Sequence, residues 1–146
     1  MIFRKAEEKD IIAIEEFLLE AGVSAIGVKQ NYPYFLMAED ENNTLIATIG
    51  IEPVESGGLL RSFVFSPTFP QSLLAPFFQQ TLLLAKQQSL SSVYLASDKE
   101  ASFPFFKALG FKKIRSEDLP ESIKLSPHCT NMLEYEDVFF MEKTLH

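Results

Sequence analysis

The sequence predicts a mixed α/β domain: a central, mostly antiparallel sheet flanked by helices. Three observations point there. Short apolar stretches bounded by turn residues recur along the chain, "YFLMAED" and "SSVYLAS" among them. Segments with apolar residues at helical spacing lie between some of them. The order runs strand, helix, consecutive strands, then helix and strand in alternation, which joins hairpins to an α/β crossover.

Taken in order, "MIFRKA" reads as a short strand. "EEKDIIAIEEFLLEAG" follows as a helix, with Ile11, Ile14 and Leu18 on one side, acids in the first turn and Gly22 as its stop. A weaker helical piece is expected near Ser24 to Gln30. "YFLMAED" and "TLIATIGIEPV" form a hairpin around "ENN". "GGLLRSFVF" is the next strand, delimited by Gly57-Gly58 and by Pro67. "SPTFPQSLLAPFFQQ" then opens a helix reaching about Gln88, and "SSVYLAS" is a short buried strand. "KEASFPFFKALG" is a helix ending on Gly110, with Pro104 tolerable only near its first turn. "FKKIRS" and "EDVFFMEKTL" complete the strands, with a loop and one helical turn between them.

Composition narrows the function classes. At 146 residues the chain fits one domain, 1–146, and a hydrophobic fraction of 47% supplies a real core rather than a disordered tract. A formal charge of −7 argues against nucleic acid as a partner, because such binding is driven by basic surfaces. The lone Cys129 excludes an internal disulfide, and with only His128 and His146 besides, no metal is expected. No apolar run approaches the roughly 20 residues that cross a bilayer, and no leader is expected ahead of the first strand. The expectation is a cytoplasmic protein acting on a small molecule.

Three stretches carry a family resemblance. The first is "FRKAEEKDIIAIEEFLLEAG", the second "FFKALGF" at 105–111, and the third "IGIEPVESGGLLRSFVFSP" at 49–67. Together they resemble the GNAT acetyltransferase family over nearly the whole chain. The third, with "EDLPESI" at 117–123 and Cys129, is similar to a subgroup of N-acetylglutamate synthase-like and arsenic-resistance-associated amino-acid acetyltransferases. The resemblance implies a GNAT-like acyl-CoA N-acyltransferase fold that binds acetyl-CoA as cosubstrate between two splayed parallel strands. It implies transfer of the acetyl group to a small-molecule amine, an amino acid being one candidate, by direct attack. Such chemistry needs orientation, a proton acceptor and donors to the carbonyl oxygen, but no covalent enzyme intermediate.

On that resemblance, Phe63, Val64 and Phe65 present backbone groups to the pantetheine arm. Gln71, Ser72, Leu73, Leu74 and Ala75 supply amides to the pyrophosphate. Two departures stand out. The family's turn usually reads Arg/Gln-x-x-Gly-x-Gly/Ala, whereas this chain has Pro70 at the first of those positions and Leu73 at the central glycine. Helix-start amides and the helix dipole survive that change, but close approach does not come free. Phe106 stands where the family often has a Tyr that protonates the departing thiolate. Tyr94 is the alternative donor, or else a core tyrosine.

Glu52, at the end of an apolar strand, is the candidate base for the ammonium proton, or an exposed strand-end carboxylate. Strict alternation puts Leu60, Ser62 and Val64 on one face and Leu59, Arg61, Phe63 and Phe65 on the other. Arg61 among phenylalanines needs an anion, either an acceptor carboxylate held by its fork or an internal partner such as Glu52 or Glu55. Arg61 and Ser62 are therefore the candidate acceptor-binding residues. Cys129, beside His128, is read as a small packing residue. The Phe cluster reads as core, with an apolar pocket or a homodimer surface as its other uses. The rival to the enzyme is a degenerate GNAT domain that binds a ligand or partner without catalysis.

Overall fold

The structure is a computed structural model and describes residues 1–126 and 138–145. Cys129, His128 and His146 lie outside the described residues. The strands are β1 (Ile2–Lys5), β2 (Phe35–Glu39), β3 (Leu45–Val54), β4 (Gly57–Phe65), β5 (Ser92–Ser97), β6 (Lys112–Ile114) and β7 (Phe139–Thr144). The helices are α1 (Ile11–Glu20), α2 (Val28–Asn31), α3 (Leu74–Gln87), α4 (Phe103–Ala108) and α5 (Glu121–Lys124). Among the described residues the strands form one sheet in the order β1-β2-β3-β4-β5-β7-β6, antiparallel at every step except β4 to β5.

Local chemistry sets most of the boundaries. Asp10 closes the entry to α1: its carboxylate accepts the Glu7 amide and both terminal nitrogens of Arg4, at 2.8, 2.8 and 2.9 Å. Arg4 also holds Glu39, so β1, β2 and the helix start are tied at one point. The Arg4 guanidinium keeps the buried Asp10 carboxyl below the usual carboxylate range against the opposing cost of burial. The second helical piece is shorter than expected and starts at Val28, because Gly27 holds a φ of 94°. The β2–β3 turn is fixed by Asp40, whose Oδ1 accepts the amides of Asn42 and Thr44.

The glycine pair opens β4, as the sequence predicts. Glu55 and Ser56 make the turn, with Glu55 at a φ of 56°, while Gly57 and Gly58 already pair with Val54 and Pro53. A side chain at Gly58 would stand 2.5 Å from Ile51, so close packing accounts for that glycine.

Two faces of the sheet carry the core. On one, α3 and α4 bury Phe77, Phe78, Leu82 and Leu84 against Ile49, Ile51, Leu60 and Leu95. On the other there are two separate clusters. Ile14, Leu18 and Val28 cover Phe35 and Met37, while Leu119 and Ile123 cover Leu59, Tyr94 and Phe140. Among the described residues no helix is long and apolar enough to cross a membrane.

Phe35 and Gly50 are paired across β2 and β3, and the Phe35 ring fills the space a Cβ would take, 2.5 Å away. Gly50→Ala is therefore expected to destabilise the fold by roughly 1–3 kcal/mol through overpacking. Chemical denaturation checks this, and Gly50→Ala with Phe35→Leu should recover part of the loss.

Candidate functional site

The single parallel step organises the site. β4 and β5 pair at Gly57–Ser92, Gly58–Val93 and Leu59–Tyr94. β4 then continues to Phe65 and β5 to Ser97 with no further pairing between them among the described residues. Each stays paired on its outer edge, β4 to β3 and β5 to β7. The two strands thus form a V with its apex at Leu59 and Tyr94. From Leu60 onward, the edge of β4 facing the V has no strand partner there. Backbone groups of that kind call for a hydrogen-bonding occupant or water.

A bulge interrupts β4 just beyond the apex. Thr48 pairs with Val64, but Gly50 pairs with Arg61, so β4 carries one extra residue in this interval. Ser62 takes a φ of 56°, and its carbonyl accepts the Thr48 hydroxyl at 3.0 Å. The bulge overturns the expected alternation. Leu60 lies with the α3 cluster, whereas Val64 packs with the α1–α2 cluster on the other face. Phe63 turns towards α3, its ring 4.6 Å from that of Phe78 and edge-on to it, and 5.0 Å from Phe65. Arg61 does not share a face with Phe63 and Phe65.

Arg61 instead reaches Glu52, Nη1 to Oε2 at 2.8 Å, with both side chains about four-fifths buried. In register the pair sits between Phe35 and Leu59, one from each cluster of that face. The internal partner anticipated for Arg61 is thus Glu52, and the strand-end carboxylate is covered rather than exposed. The remaining guanidinium nitrogens and the second carboxylate oxygen make the pair a donor and an acceptor side by side.

At the start of α3 the structure narrows the phosphate-turn expectation. Residues 71–73 form a 3-10 turn before the helix proper. Its hydrogen bonds run from the Leu73 amide to the Pro70 carbonyl, at 3.0 Å, and from the Leu74 amide to the Gln71 carbonyl. Two of the five expected amides are therefore engaged. Leu73 and Leu74 pack against the core, while the side chains of Gln71 and Ser72 are exposed.

Tyr94 lies at the apex, buried among Leu59, Leu119 and Ile123. Burial pushes its hydroxyl up to about 12, assisted by Glu142, its cross-strand neighbour on β7. Phe106 is packed edge-on between Phe78, Phe105 and Phe111. Glu142 and Thr48 carry no signal in the sequence, since each acts through a cross-strand neighbour that only the register reveals.

No family model matches the chain. Its fold superposes on Rv2747 of Mycobacterium tuberculosis, crystallised with CoA, at a TM-score of 0.76, with 15% identity over 100% of both chains. N-acetylglutamate synthase of Neisseria gonorrhoeae, crystallised with coenzyme A and N-acetyl-glutamate, also gives 0.76, at 17% identity over 99% of this chain and 35% of that one. A GNAT-family acetyltransferase of Staphylococcus aureus Mu50 gives 0.72, at 18% identity and 99% of each chain. The architecture is the GNAT acyl-CoA N-acyltransferase fold. Within it, the chain belongs to one family with YwlB of Bacillus subtilis strain 168, to which it is 35% identical over 141 residues, 96% of this chain and 95% of YwlB.

The Tyr94 environment has a measurable consequence. A pKa raised on folding means that the stability it confers is intact below the unfolded value of about 10. That stability is lost as pH rises through about 12. Ultraviolet titration should show one late-ionising tyrosine, absent in Tyr94→Phe, and the variant's stability should fall less steeply across that window.

Proposed function

We propose that the chain is an N-acetyltransferase that moves an acetyl group from acetyl-CoA to the amine of an α-amino acid. The observation that carries this reading is the V beside the Glu52–Arg61 pair. The unpaired edge of β4 around Phe63, Val64 and Phe65 offers hydrogen bonds to an extended amide chain, as a further strand would. Pantetheine is such a chain. At the open end of the V, Gln71 and Ser72 retain the helix-start position for a pyrophosphate, with less amide support than a glycine turn gives.

On the opposite face, an amino acid matches the ion pair group for group. Its carboxylate suits the Arg61 fork and its ammonium suits Glu52. Glu52 takes a proton from the ammonium, the amine nitrogen attacks the thioester carbon to form the C–N bond, the nitrogen releases its second proton to solvent, and the C–S bond breaks. The thiolate leaves with the electron pair and takes its proton from solvent. Tyr94 is a poor source: a hydroxyl near 12 holds its proton against a thiolate whose conjugate acid lies near about 8.5. That weighs against the donor role expected from the sequence, and Phe106 has no proton to give.

The packed Phe106 and the two engaged amides favour a second reading, a GNAT-fold domain that binds ligand without turnover. Thiol release from acetyl-CoA, measured with each L-amino acid and with the matching amines lacking a carboxylate, decides between them. Release with amino acids and not with the simple amines is expected; release with neither sinks the enzyme reading. Arg61→Ala should raise the acceptor KM at least about tenfold, as loss of a charge-assisted hydrogen bond would. Arg61→Lys should rescue little, because the fork is lost. Glu52→Gln should lower kcat roughly a hundredfold or more, the scale of a lost general base; an unchanged kcat excludes Glu52 as the base.

A further inference from the structure

Thr48 is a hydroxyl residue in a wholly buried position on β3, where a valine would pack as well. A buried hydroxyl costs stability unless it is hydrogen-bonded, and this one donates to the Ser62 carbonyl at 3.0 Å. Ser62 is the residue that most needs a latch. Its φ of 56° is unusual for a residue with a side chain, and the bulge takes its backbone out of regular pairing. The alternative for β4 is straight pairing with β3, in which alternation would return Arg61 and Phe63 to one face. Either the phenylalanine would then crowd the acceptor side, or Arg61 would be drawn from Glu52 into the α3 core.

We propose that Thr48 is a positioning residue for the acceptor site: its hydroxyl holds the bulge that turns Arg61 to Glu52 and Phe63 to Phe78. The inference rests on reading the Glu52–Arg61 pair as the acceptor anchor. It assigns Thr48 no contact with substrate.

The test compares the unaltered chain with Thr48→Val, which keeps the shape without the hydroxyl, and Thr48→Ser, which keeps the hydroxyl. Thr48→Ala, which cannot overfill the site, replaces the valine variant if that chain does not fold. The first readout is independent of activity: the nitrogen-15 resonances of the Arg61, Ser62 and Phe63 amides and of the Arg61 side chain. The second is thiol release from acetyl-CoA with a mixture of L-amino acids. Loss of the hydroxyl is expected to shift those resonances and to raise the amino-acid KM by roughly tenfold, the scale of one buried hydrogen bond. The KM for acetyl-CoA should stay unchanged, and Thr48→Ser should restore both readouts. Unshifted resonances at 61–63 without the hydroxyl, or failure of serine to restore them, overturns the latch. If the wild type releases no thiol, the acetyl-transfer reading fails separately, and the resonances alone decide whether Thr48 holds the bulge.

Discussion

Buried backbone groups must find hydrogen-bond partners, and among the described residues the inner edge of β4 finds strand partners only as far as Leu59. The rest of the molecule is arranged around that interruption. β3 and β7 hold the outer edges of the two diverging strands, so the V opens without the sheet coming apart. α3 and its phenylalanines back one side, leaving the other side to two smaller clusters with the Glu52–Arg61 pair between them in register. An ion pair so largely covered contributes little net stability against well-packed apolar residues, which fits a role in recognition better than one in folding.

The bulge at Ser62 divides the labour along a few residues of β4. Before it, Arg61 serves the face with the ion pair; after it, Phe63 serves the aromatic core. A strand without the extra residue would place both on one side, so a local backbone cost yields two faces of different chemistry. The same economy appears at the apex. Tyr94 closes the V with its ring among apolar residues and Glu142 opposite it across the β5–β7 step.

Much of this was legible in the sequence, and the failures share one cause. Strand and helix order followed from periodicity and turn residues, and the hairpin followed from "ENN" at 41–43, although the Asp40 carboxylate that fixes the turn was read as part of the strand. Arg61 stood out because a guanidinium amid apolar residues demands an anion, and Glu52 was among its anticipated partners. The facing of β4 was misjudged because period-two counting cannot detect an inserted residue, and Ser62 lacks the glycine that would flag a positive φ. Gly57 and Gly58 marked the start of β4, but the reason for Gly58, the approach of Ile51 across the sheet, is written in no local pattern. The engaged amides of Leu73 and Leu74 depend on a 3-10 lead-in that Pro70 and Gln71 do not announce. What a residue does through a neighbour distant in sequence is set by register, and no local pattern records it.

The central claim is that an acyl-CoA completes the unpaired edge of β4. Amide hydrogen exchange, measured residue by residue with and without saturating acetyl-CoA, tests it most directly. The account predicts slowed exchange at one or more amides among residues 60–65, with smaller effects at Gln71 and Ser72. Unchanged exchange throughout β4 at saturating ligand would contradict it.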